Sequence, residues 1–299
     1  MNILIVGAKG FIGSHVAANS LVNGYAVTGC DLVEDVSGDY PYQKISVLSA
    51  DFDALFASQT FDVCINASGS GNVSFSIEHP LNDFEANTLA VIKILDTIRK
   101  YNSACQYVHI SSAAVYGNPA HLPIREEDCI SPLSPYGYHK WISEIVCREY
   151  YQLYHLPIAI VRPFSVYGDG LKKQLLWDIC QKLAKTDTIT LFGTGNESRD
   201  FIHVTDLSKL INCIIEAAAF KLDIFNAASG RENTIQTIAS IIEQYYGGQK
   251  KISFSGKVRP GDPLNWRADV SKANDIGFVP GISLENGLQQ SIKWFESQV

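Results

Sequence analysis

The seven cysteines of this 299-residue chain form neither a Cys-x-x-Cys pair nor a zinc-type cluster. That absence excludes the common zinc motifs, and we predict no metal site. Because the number is odd and residues such as Cys64 and Cys213 lie in apolar runs, we expect buried, reduced thiols. The apolar run that follows Met1 is far too short for a signal peptide, so the sequence predicts a cytoplasmic protein.

Long apolar runs and an excess of positive charge are also missing. No stretch approaches the roughly 18 apolar residues that a membrane-spanning helix needs. The 24 lysines and arginines are outnumbered by 31 acidic residues, which gives a net charge of −7. This balance argues against nucleic-acid and membrane partners, but it permits a local cationic pocket for a phosphorylated small molecule. The hydrophobic share of 46% is typical of a globular protein with a sizeable core.

A glycine-rich turn near the start of the chain is the first positive signal. The apolar, β-branched residues 3–6 predict a strand buried on both faces, as in a parallel sheet. Gly7, Gly10 and Gly13 follow and open a predicted helix that ends near Asn23. Such glycines permit a tight turn, a close approach of pyrophosphate and close helix–strand packing. The segment therefore predicts a dinucleotide site at a helix N-terminus, with Gly-x-x-Gly-x-x-Gly spacing in place of Gly-x-Gly-x-x-Gly.

The second predicted strand ends in an acidic residue, Asp31, a little over about 20 residues after the glycine loop. A carboxylate there accepts hydrogen bonds from the adenosine ribose and repels a 2′-phosphate, so it favours NAD over NADP. Lys9, inside the loop, instead favours NADP, because a cation there could bind a 2′-phosphate. The alternative reading is that Asp31 only caps a turn.

Strands and helices alternate over the first half of the chain, which predicts a doubly wound parallel (Rossmann) α/β sheet. Ligands of such sheets lie at the carboxyl ends of the strands. After Arg162 the alternation weakens, and we predict a smaller C-terminal substrate lobe. The predicted strands are residues 3–6, 25–30, 45–48, 61–66, 106–110, 158–161 and 224–226. The predicted domains are a dinucleotide-binding domain, residues 1–164 with 200–226, and a lobe of residues 165–199 and 227–299.

A tyrosine and a lysine share one helix face in the middle of the chain. Ser134 is a favourable N-cap and Pro135 suits the first helical position. Tyr136 and Lys140 are four residues apart, so both side chains lie on the same side of that helix. An ammonium near the phenol is expected to lower its pKa from about 10 and make it a general base. Taken alone, the pair is more typical of an exposed amphipathic helix than of a catalytic site.

Seven segments in order resemble the extended short-chain dehydrogenase/reductase family, and within it the NAD-dependent nucleotide-sugar epimerases and dehydratases. The resemblance covers nearly the whole chain. It implies that Tyr136 is the base acting on a sugar hydroxyl, that Lys140 assists it and binds the nicotinamide ribose, and that Ser112 hydrogen-bonds the same sugar oxygen. The segments are Gly7-x-x-Gly10-x-x-Gly13, Asp31, Ser111-Ser112-x-x-Val115-Tyr116-Gly117, Ser134-Pro135-Tyr136-x-x-x-Lys140, Arg162-Pro163-Phe164-Ser165-Val166-Tyr167-Gly168, Arg199-Asp200-Phe201-Ile202-His203-Val204 and Arg259-Pro260-Gly261-Asp262.

The resemblance also implies how the ligands are held. Arg199 and Arg259 would clamp the diphosphate of a nucleotide sugar, with Ser165 beside it, because a guanidinium presents a fork of fixed donors. Arg162 is predicted to brace a strand end instead. The residues implied in NAD binding are Gly7, Gly10, Phe11, Ile12, Gly13, Asp31, Ala67, Ser68, Gly69, Asn87, Tyr136, Lys140 and Pro163.

One departure from the family pattern reduces the number of reactions that the chain is expected to catalyse. Ala113 and Ala114 follow Ser112, whereas the 4,6-dehydratases carry an acidic pair there, so elimination of water is disfavoured. The prediction is therefore an NAD-dependent 4-epimerase, with a 4-keto sugar reductase as the alternative and a non-catalytic NAD sensor as a third class. The helices near residues 80–101 and 136–155 resemble those that pair family subunits, which implies a homodimer. The lobe around Lys173, Gln174 and Trp177 is expected to contact the nucleotide base.

Overall fold

The computed structural model describes residues 1–35, 38–257 and 264–298. The largest sheet has seven strands, all parallel, in the order β10-β6-β5-β4-β1-β2-β3. The strands in chain order are β1 (Asn2–Val6), β2 (Ala26–Asp31), β3 (Tyr42–Lys44), β4 (Val63–Asn66), β5 (Gln106–Ile110), β6 (Ile158–Pro163), β7 (Ser165–Tyr167), β8 (Thr188–Leu191), β9 (Ser198–His203), β10 (Lys221–Ala227), β11 (Glu232–Thr234) and β12 (Lys251–Phe254).

Helices cover both faces of this sheet, and others belong to the smaller lobe. In chain order the helices of the described residues are α1 (Phe11–Val22), α2 (Ala50–Ser58), α3 (Val73–Glu78), α4 (Pro80–Phe84), α5 (Ala90–Tyr101), α6 (Pro135–Tyr154), α7 (Gln174–Leu183), α8 (Val204–Ala217), α9 (Ile235–Tyr245), α10 (Ser271–Asp275) and α11 (Leu284–Glu296). A π-helical turn, Glu85–Leu89, joins α4 to α5, and a 3₁₀ turn, Ala113–Val115, follows β5. No helix in the described part of the chain is long and apolar enough to cross a membrane.

The alternating side chains of β1 show that the main sheet is buried on both faces. Ile3 and Ile5 point to one face, where they pack with α1 and α8, and Leu4 and Val6 point to the other, where they pack with α2, α5 and α6. The chain runs outward from β1 to β3 and then crosses to β4 on the other side. This reversal confirms the predicted doubly wound sheet, and it opens a crevice at the carboxyl ends of β1 and β4.

The later part of the chain builds two small sheets. Strands β11, β9 and β7 form one of them, and β12 pairs with β8 in the other. Helices α7, α9 and α11 pack around a separate apolar cluster that includes Ile179, Ile238 and Ile292. Strand β10 then returns to the edge of the main sheet beside β6. Residues 200–226 are thus divided between the main sheet and the smaller lobe. Strand β9 lies in a small sheet, whereas α8 and β10 pack with the main sheet.

Two predicted elements differ from the structure. The third strand is Tyr42–Lys44 and not residues 45–48. The Ile45 N–H still donates to the Asp31 carbonyl at 3.0 Å, but the chain turns from residue 47, so Ile45 and Val47 pack against the core from outside the strand. The helix predicted over residues 80–101 is interrupted by the π-helical turn, which contains Asn87. Such turns insert one extra residue into a helix and are frequent at functional sites.

Candidate functional site

The glycine loop forms a cradle at the start of α1. Gly7 has a φ of 79°, and a Cβ added to Gly13 would lie 2.0 Å from the Gly7 carbonyl oxygen, so neither position accepts a side chain. Gly10 is the N-cap of α1; no side chain caps the helix and no acidic residue lies in its first turn. The backbone N–H groups of the first turn, which begins with Phe11 and Ile12, are therefore available to an anion. This cradle fits a pyrophosphate.

Asp31 lies at the carboxyl end of β2, beside the glycine loop. Its carboxylate accepts hydrogen bonds from the backbone N–H groups of Lys9 at 2.9 Å and Leu32 at 2.7 Å. The Lys9 ammonium is paired with Asp35 at 2.6 Å and lies 4.7 Å from the centre of the Tyr40 ring. A 2′-phosphate entering here would face two carboxylates and a lysine that is already paired. The geometry is therefore suited to an unphosphorylated adenosine ribose.

Small residues at the end of β4 form the floor of the cleft. Gly69 has a φ of 104°, and a Cβ there would lie 2.5 Å from Asn87 Oδ1. Asn87 Nδ2 donates to the Ser70 carbonyl and to Asp83 Oδ1, both at 3.1 Å. Asn87 Oδ1 is buried and receives no hydrogen bond from the described residues. Since a buried acceptor is costly when unsatisfied, this atom fits a donor that water or a bound ligand supplies. Ala67 and Ser68 line the same turn, half-buried.

Ser112, Tyr136 and Lys140 meet at the carboxyl end of β5. The Ser112 hydroxyl caps the 3₁₀ turn by accepting from the Ala114 N–H at 3.1 Å, and it lies close enough to the Tyr136 phenol to have a lowering effect on the pKa of that group. Ser134 caps α6, as expected, by accepting from the Gly137 N–H. One turn into that helix, Lys140 Nζ donates to the Ile110 carbonyl at 2.9 Å. The helix start and the strand end thus bring together the three residues that sequence reasoning had grouped.

The pKa values of Tyr136 and Lys140 differ from those expected from the sequence. Burial raises the pKa of Tyr136 to about 12, which outweighs the lowering effect of the Ser112 hydroxyl. Burial also lowers the pKa of Lys140 to about 8. The predicted lowering of the tyrosine pKa by Lys140 is therefore wrong for the chain alone, because desolvation acts on both groups more strongly than they act on each other. Tyr136 needs an additional positive charge in the cleft to ionise near neutral pH.

Two buried pairs of polar side chains lie beneath the site. The sequence predicted that Arg162 braces a strand end but not its partner, and it did not predict the other pair. Fully buried Asp83 lies 2.6 Å from His139 Nδ1. Arg162 lies 2.6 Å from the Glu144 carboxylate and also donates to the Tyr116 hydroxyl at 2.8 Å. Glu144 is one turn beyond Lys140, so this pair ties α6 to β6. The available signal was the placement of acidic residues on the apolar side of α6, where a partner is required.

The predicted substrate residues lie where the small sheets meet the main one. Pro163 ends β6 and Ser165 begins β7, which pairs with β9. Arg199, in β9, donates to the Ser198 carbonyl at 2.8 Å, and its guanidinium lies 5.6 Å from the Trp266 ring centre. Arg259 lies outside the described residues. Within those residues, no group of histidines, cysteines and acids could hold a metal ion.

Taken with the sheet, the Ser–Tyr–Lys grouping beside a pyrophosphate cradle defines an extended short-chain dehydrogenase/reductase. Comparison with known families is more specific. Residues 3–228 match the model of the NAD dependent epimerase/dehydratase family, and the chain belongs to that family. The resemblance drawn from the seven segments is therefore confirmed, and so is NAD, the cofactor on which the family depends.

Relatives resemble the chain over its whole length. A Methanocaldococcus jannaschii protein provisionally assigned as a UDP-glucose 4-epimerase is 30% identical over 304 residues, which cover 99% of this chain and 98% of the relative. The UDP-glucuronate 4-epimerase of Thermodesulfobacterium geofontis is 26% identical, covering 99% and 96%. The structure of the Bacillus cereus UDP-glucuronic acid 4-epimerase, in complex with UDP-glucuronic acid and NAD, is 26% identical with a TM-score of 0.92 and full coverage of both chains. These similarities support a nucleotide-sugar epimerase.

Proposed function

We propose that the protein is an NAD-dependent nucleotide-sugar 4-epimerase. The observation that carries the proposal is the grouping of Ser112 at the end of β5 with Tyr136 at the start of α6, with Lys140 one helical turn behind. Two neighbouring hydroxyl groups suit a substrate oxygen that must lose and regain a proton. The glycine cradle and Asp31 lie along the same edge of the sheet, so a dinucleotide held there reaches these hydroxyls.

Each residue has a distinct task. NAD, when bound, supplies the acceptor that takes the hydride from carbon 4 of the sugar and returns it to the opposite face. Tyr136 removes the proton of the C4 hydroxyl and later restores it. Ser112 donates a hydrogen bond to the same oxygen, which stabilises the negative charge that develops on it. Lys140, anchored by the Ile110 carbonyl, keeps two N–H groups for the nicotinamide ribose and the phenolate.

The residues after Ser112 support epimerisation over dehydration. Ala113 is fully buried and Ala114 is half-buried in the 3₁₀ turn, so this turn offers no carboxylic acid to protonate a leaving hydroxyl. A 4-keto sugar formed here would keep its substituents at carbons 5 and 6. It would be reduced again in place, and the cofactor would not be consumed.

The substrate end of the proposal rests on Arg199, with Arg259 as its expected partner. Arg199 lies on β9, next to the strand that begins at Ser165, and a guanidinium can bind a phosphate with two parallel hydrogen bonds. The smaller lobe, residues 165–199 and 227–299, would hold the nucleoside diphosphate while residues 1–164 hold the dinucleotide.

A homodimer is part of the proposal. Four large apolar side chains on two neighbouring helical segments are between 40% and 68% exposed. They are Leu81 in α4, Leu89 in the π-helical turn, and Tyr138 and Ile145 on α6. Tyr138 and Ile145 are seven residues apart and share one face of α6. A second copy of the same pair of helices would cover this surface as a four-helix bundle. Light scattering is expected to give twice the chain mass, and a glutamate at Ile145 is expected to restore the monomer.

The cysteines bear on where the protein works. All seven are free thiols, and burial raises the pKa of Cys30 and Cys105 to about 12, which makes them unreactive. Unpaired thiols support the cytoplasmic location that we propose.

The deciding experiment is an assay with UDP-, dTDP- and GDP-hexoses and no added cofactor. Formation of the 4-epimer supports the proposal. Consumption of NADH or NADPH in step with a 4-keto sugar would identify the reductase instead. A non-catalytic sensor is indicated if the Tyr136→Phe variant keeps full function in the cell. The three outcomes are distinguishable because only the epimerase turns over repeatedly without a reductant.

A further inference from the structure

A lysine of the smaller lobe reaches into the cleft beside Tyr136. Lys173 is the residue before α7, and its Nζ atom lies 3.8 Å from the position that a Cβ on Gly71 would occupy. The Tyr136 hydroxyl oxygen lies 4.0 Å from the same position. The ammonium therefore lies at the reacting end of the cleft, and not at the nucleotide base, where we expected this segment. Trp177, from the same segment, packs against Trp294 and Phe295 in the lobe core.

Lys173 differs from the other lysines around the cleft in having no partner. Lys9 is paired with Asp35, and Lys140 donates to the Ile110 carbonyl. No hydrogen bond or ion pair to Lys173 is formed by any residue in the described ranges, and the residue is exposed at the cleft, although desolvation lowers its pKa. An unpaired ammonium in this position is available to an anionic ligand, and exclusion of water by that ligand would strengthen the attraction.

The backbone around it shows that this placement is enforced. Gln174, directly after Lys173, has a φ of 69°, a left-handed conformation that is unfavourable for a residue with a side chain. Strain of this kind concentrates at ligand-binding positions. Gly71 has no left-handed φ, so its backbone does not require glycine. What glycine provides there is room, since a long side chain at residue 71 would occupy the space of the ammonium.

We propose that Lys173 binds an anionic group on the sugar, and that the preferred substrates are nucleoside diphosphate hexuronic acids. This inference rests on the proposed 4-epimerase function. The C4 oxygen must lie at Tyr136, and the carboxylate of a uronic acid is attached to carbon 5, the direct neighbour of carbon 4. The carboxylate is therefore within reach of a cation next to Tyr136. A neutral hydroxymethyl group at that position would accept a hydrogen bond but would leave the positive charge uncompensated.

The diphosphate is the other anion that any nucleotide sugar carries, and the structure provides for it elsewhere. Arg199 lies on β9 in the smaller lobe and stacks near Trp266, and Arg259 is expected beside it. Lys173 thus adds a second cationic position at the opposite end of the substrate. Two separated cations match a ligand with two separated anionic groups.

The test uses UDP-glucuronic acid and UDP-glucose, which differ only at carbon 6. We expect the wild-type enzyme to have the higher kcat/KM with UDP-glucuronic acid. In Lys173→Met, the ratio of kcat/KM for UDP-glucuronic acid to that for UDP-glucose should fall about 30-fold, the effect of one lost charge-assisted hydrogen bond. Lys173→Arg should keep most of the preference. Lys172→Met is the matched control, because Lys172 lies near the Trp294 ring on the surface of the lobe and should leave the ratio unchanged.

The contrary outcomes separate this inference from the proposed function. An equal loss with both sugars would place Lys173 at the diphosphate and overturn the inference. Epimerisation of UDP-glucose together with rejection of UDP-glucuronic acid would also overturn it, and the 4-epimerase proposal would stand. If neither sugar is epimerised, the proposed function fails. Equilibrium binding of the two nucleotides then decides: weaker binding of UDP-glucuronic acid alone in Lys173→Met supports the role of Lys173, and no such difference overturns it.

Discussion

The two walls of the cleft are built differently. On the sheet side, Ser112, Tyr136 and Lys140 lie at a strand end or in the first turns of a helix. The side chains of Ser112 and Lys140 are hydrogen-bonded to backbone atoms, and the Tyr136 backbone N–H donates to the Ser76 hydroxyl. On the lobe side, Lys173 and Arg199 extend long side chains from a strained helix start and a short strand. In the proposed function, the sheet side carries the groups that every substrate needs, and the lobe side carries the groups that distinguish substrates.

This difference teaches that rigidity and selectivity are placed in separate layers. The end of β5 and the start of α6 fix the two hydroxyls, because a parallel sheet buried on both faces cannot shift one strand alone. In the proposed function, long cationic side chains at the lobe can adapt to the charge of the sugar without disturbing the chemistry. Substitutions on one side of the cleft at a time can test this difference, and those at the reacting hydroxyls should have the largest effect.

Removal of the Tyr136 hydroxyl should have the largest effect. In Tyr136→Phe, kcat for epimer formation is expected to fall about 10³-fold or more, because the proton of the substrate hydroxyl loses its acceptor. Tyr101→Phe, at an exposed position at the end of α5, is the matched control and should retain activity. Urea unfolding should show that both variants are as stable as the wild type. A Tyr136→Phe enzyme with more than a tenth of the wild-type kcat would contradict the assignment.

The sheet wall should also be the more sensitive to loss of a buried charge. Arg162→Met leaves Glu144 buried without its partner, so the free energy of unfolding should fall by about 3–5 kcal/mol. Lys182→Met breaks an ion pair of similar length, 2.7 Å, on the half-exposed surface of α7 in the lobe and should have little effect. Equilibrium unfolding in urea measures both. Equal losses would mean that burial does not distinguish the two pairs.

The two walls also differ in what the sequence reveals. The main strands were predictable because continuous apolar runs are required wherever both faces are buried, and the helix start at Ser134 followed from its cap and proline. The edge strand was misplaced because Tyr42–Lys44 is polar and short, while Ile45 and Val47 look like a strand but pack from a loop. Apolar content does not reveal which of two adjacent segments makes the ladder hydrogen bonds.

Side-chain environment was harder to predict than topology. The spacing of Tyr136 and Lys140 placed them on one helix face, but their pKa values depend on how much water each loses, which only the packed structure shows. The π-helical turn at Asn87 arises from tertiary contacts and has no signature in a single sequence. Lys173 is more than thirty residues from Tyr136 in the sequence, and its ammonium lies near the same point beside Gly71 because of a loop whose path no periodic pattern describes.

Cofactor selection tests whether Asp31 does more than cap its turn. Asp31→Asn keeps a side-chain oxygen for the Lys9 or Leu32 N–H and removes the negative charge. The preference for NAD over NADP, measured as the ratio of dissociation constants by calorimetry, should fall about tenfold. Asp39→Asn, an exposed acid of the same region, should leave the ratio unchanged. If Asp31→Asn weakens the binding of NAD and NADP equally, the Asp31 carboxylate only stabilises the turn.

The smallest expected effect concerns the charge of Lys173. Because partial burial lowers its pKa, Lys173 loses its proton at a lower pH than an ordinary lysine, and the preference for UDP-glucuronic acid over UDP-glucose should decline as the pH rises from 7 towards 10. Tyr136 and Lys140, the titratable groups across the cleft, act on both substrates, so their ionisation cancels in the ratio of kcat/KM. The decline should reach about tenfold. In Lys173→Arg the ratio should stay flat over the same range, because a guanidinium keeps its charge. If the kcat/KM ratio fell equally in the wild type and in Lys173→Arg, another group would bind the carboxylate of the substrate. The cation responsible for the preference would then have to lie on the sheet side of the cleft.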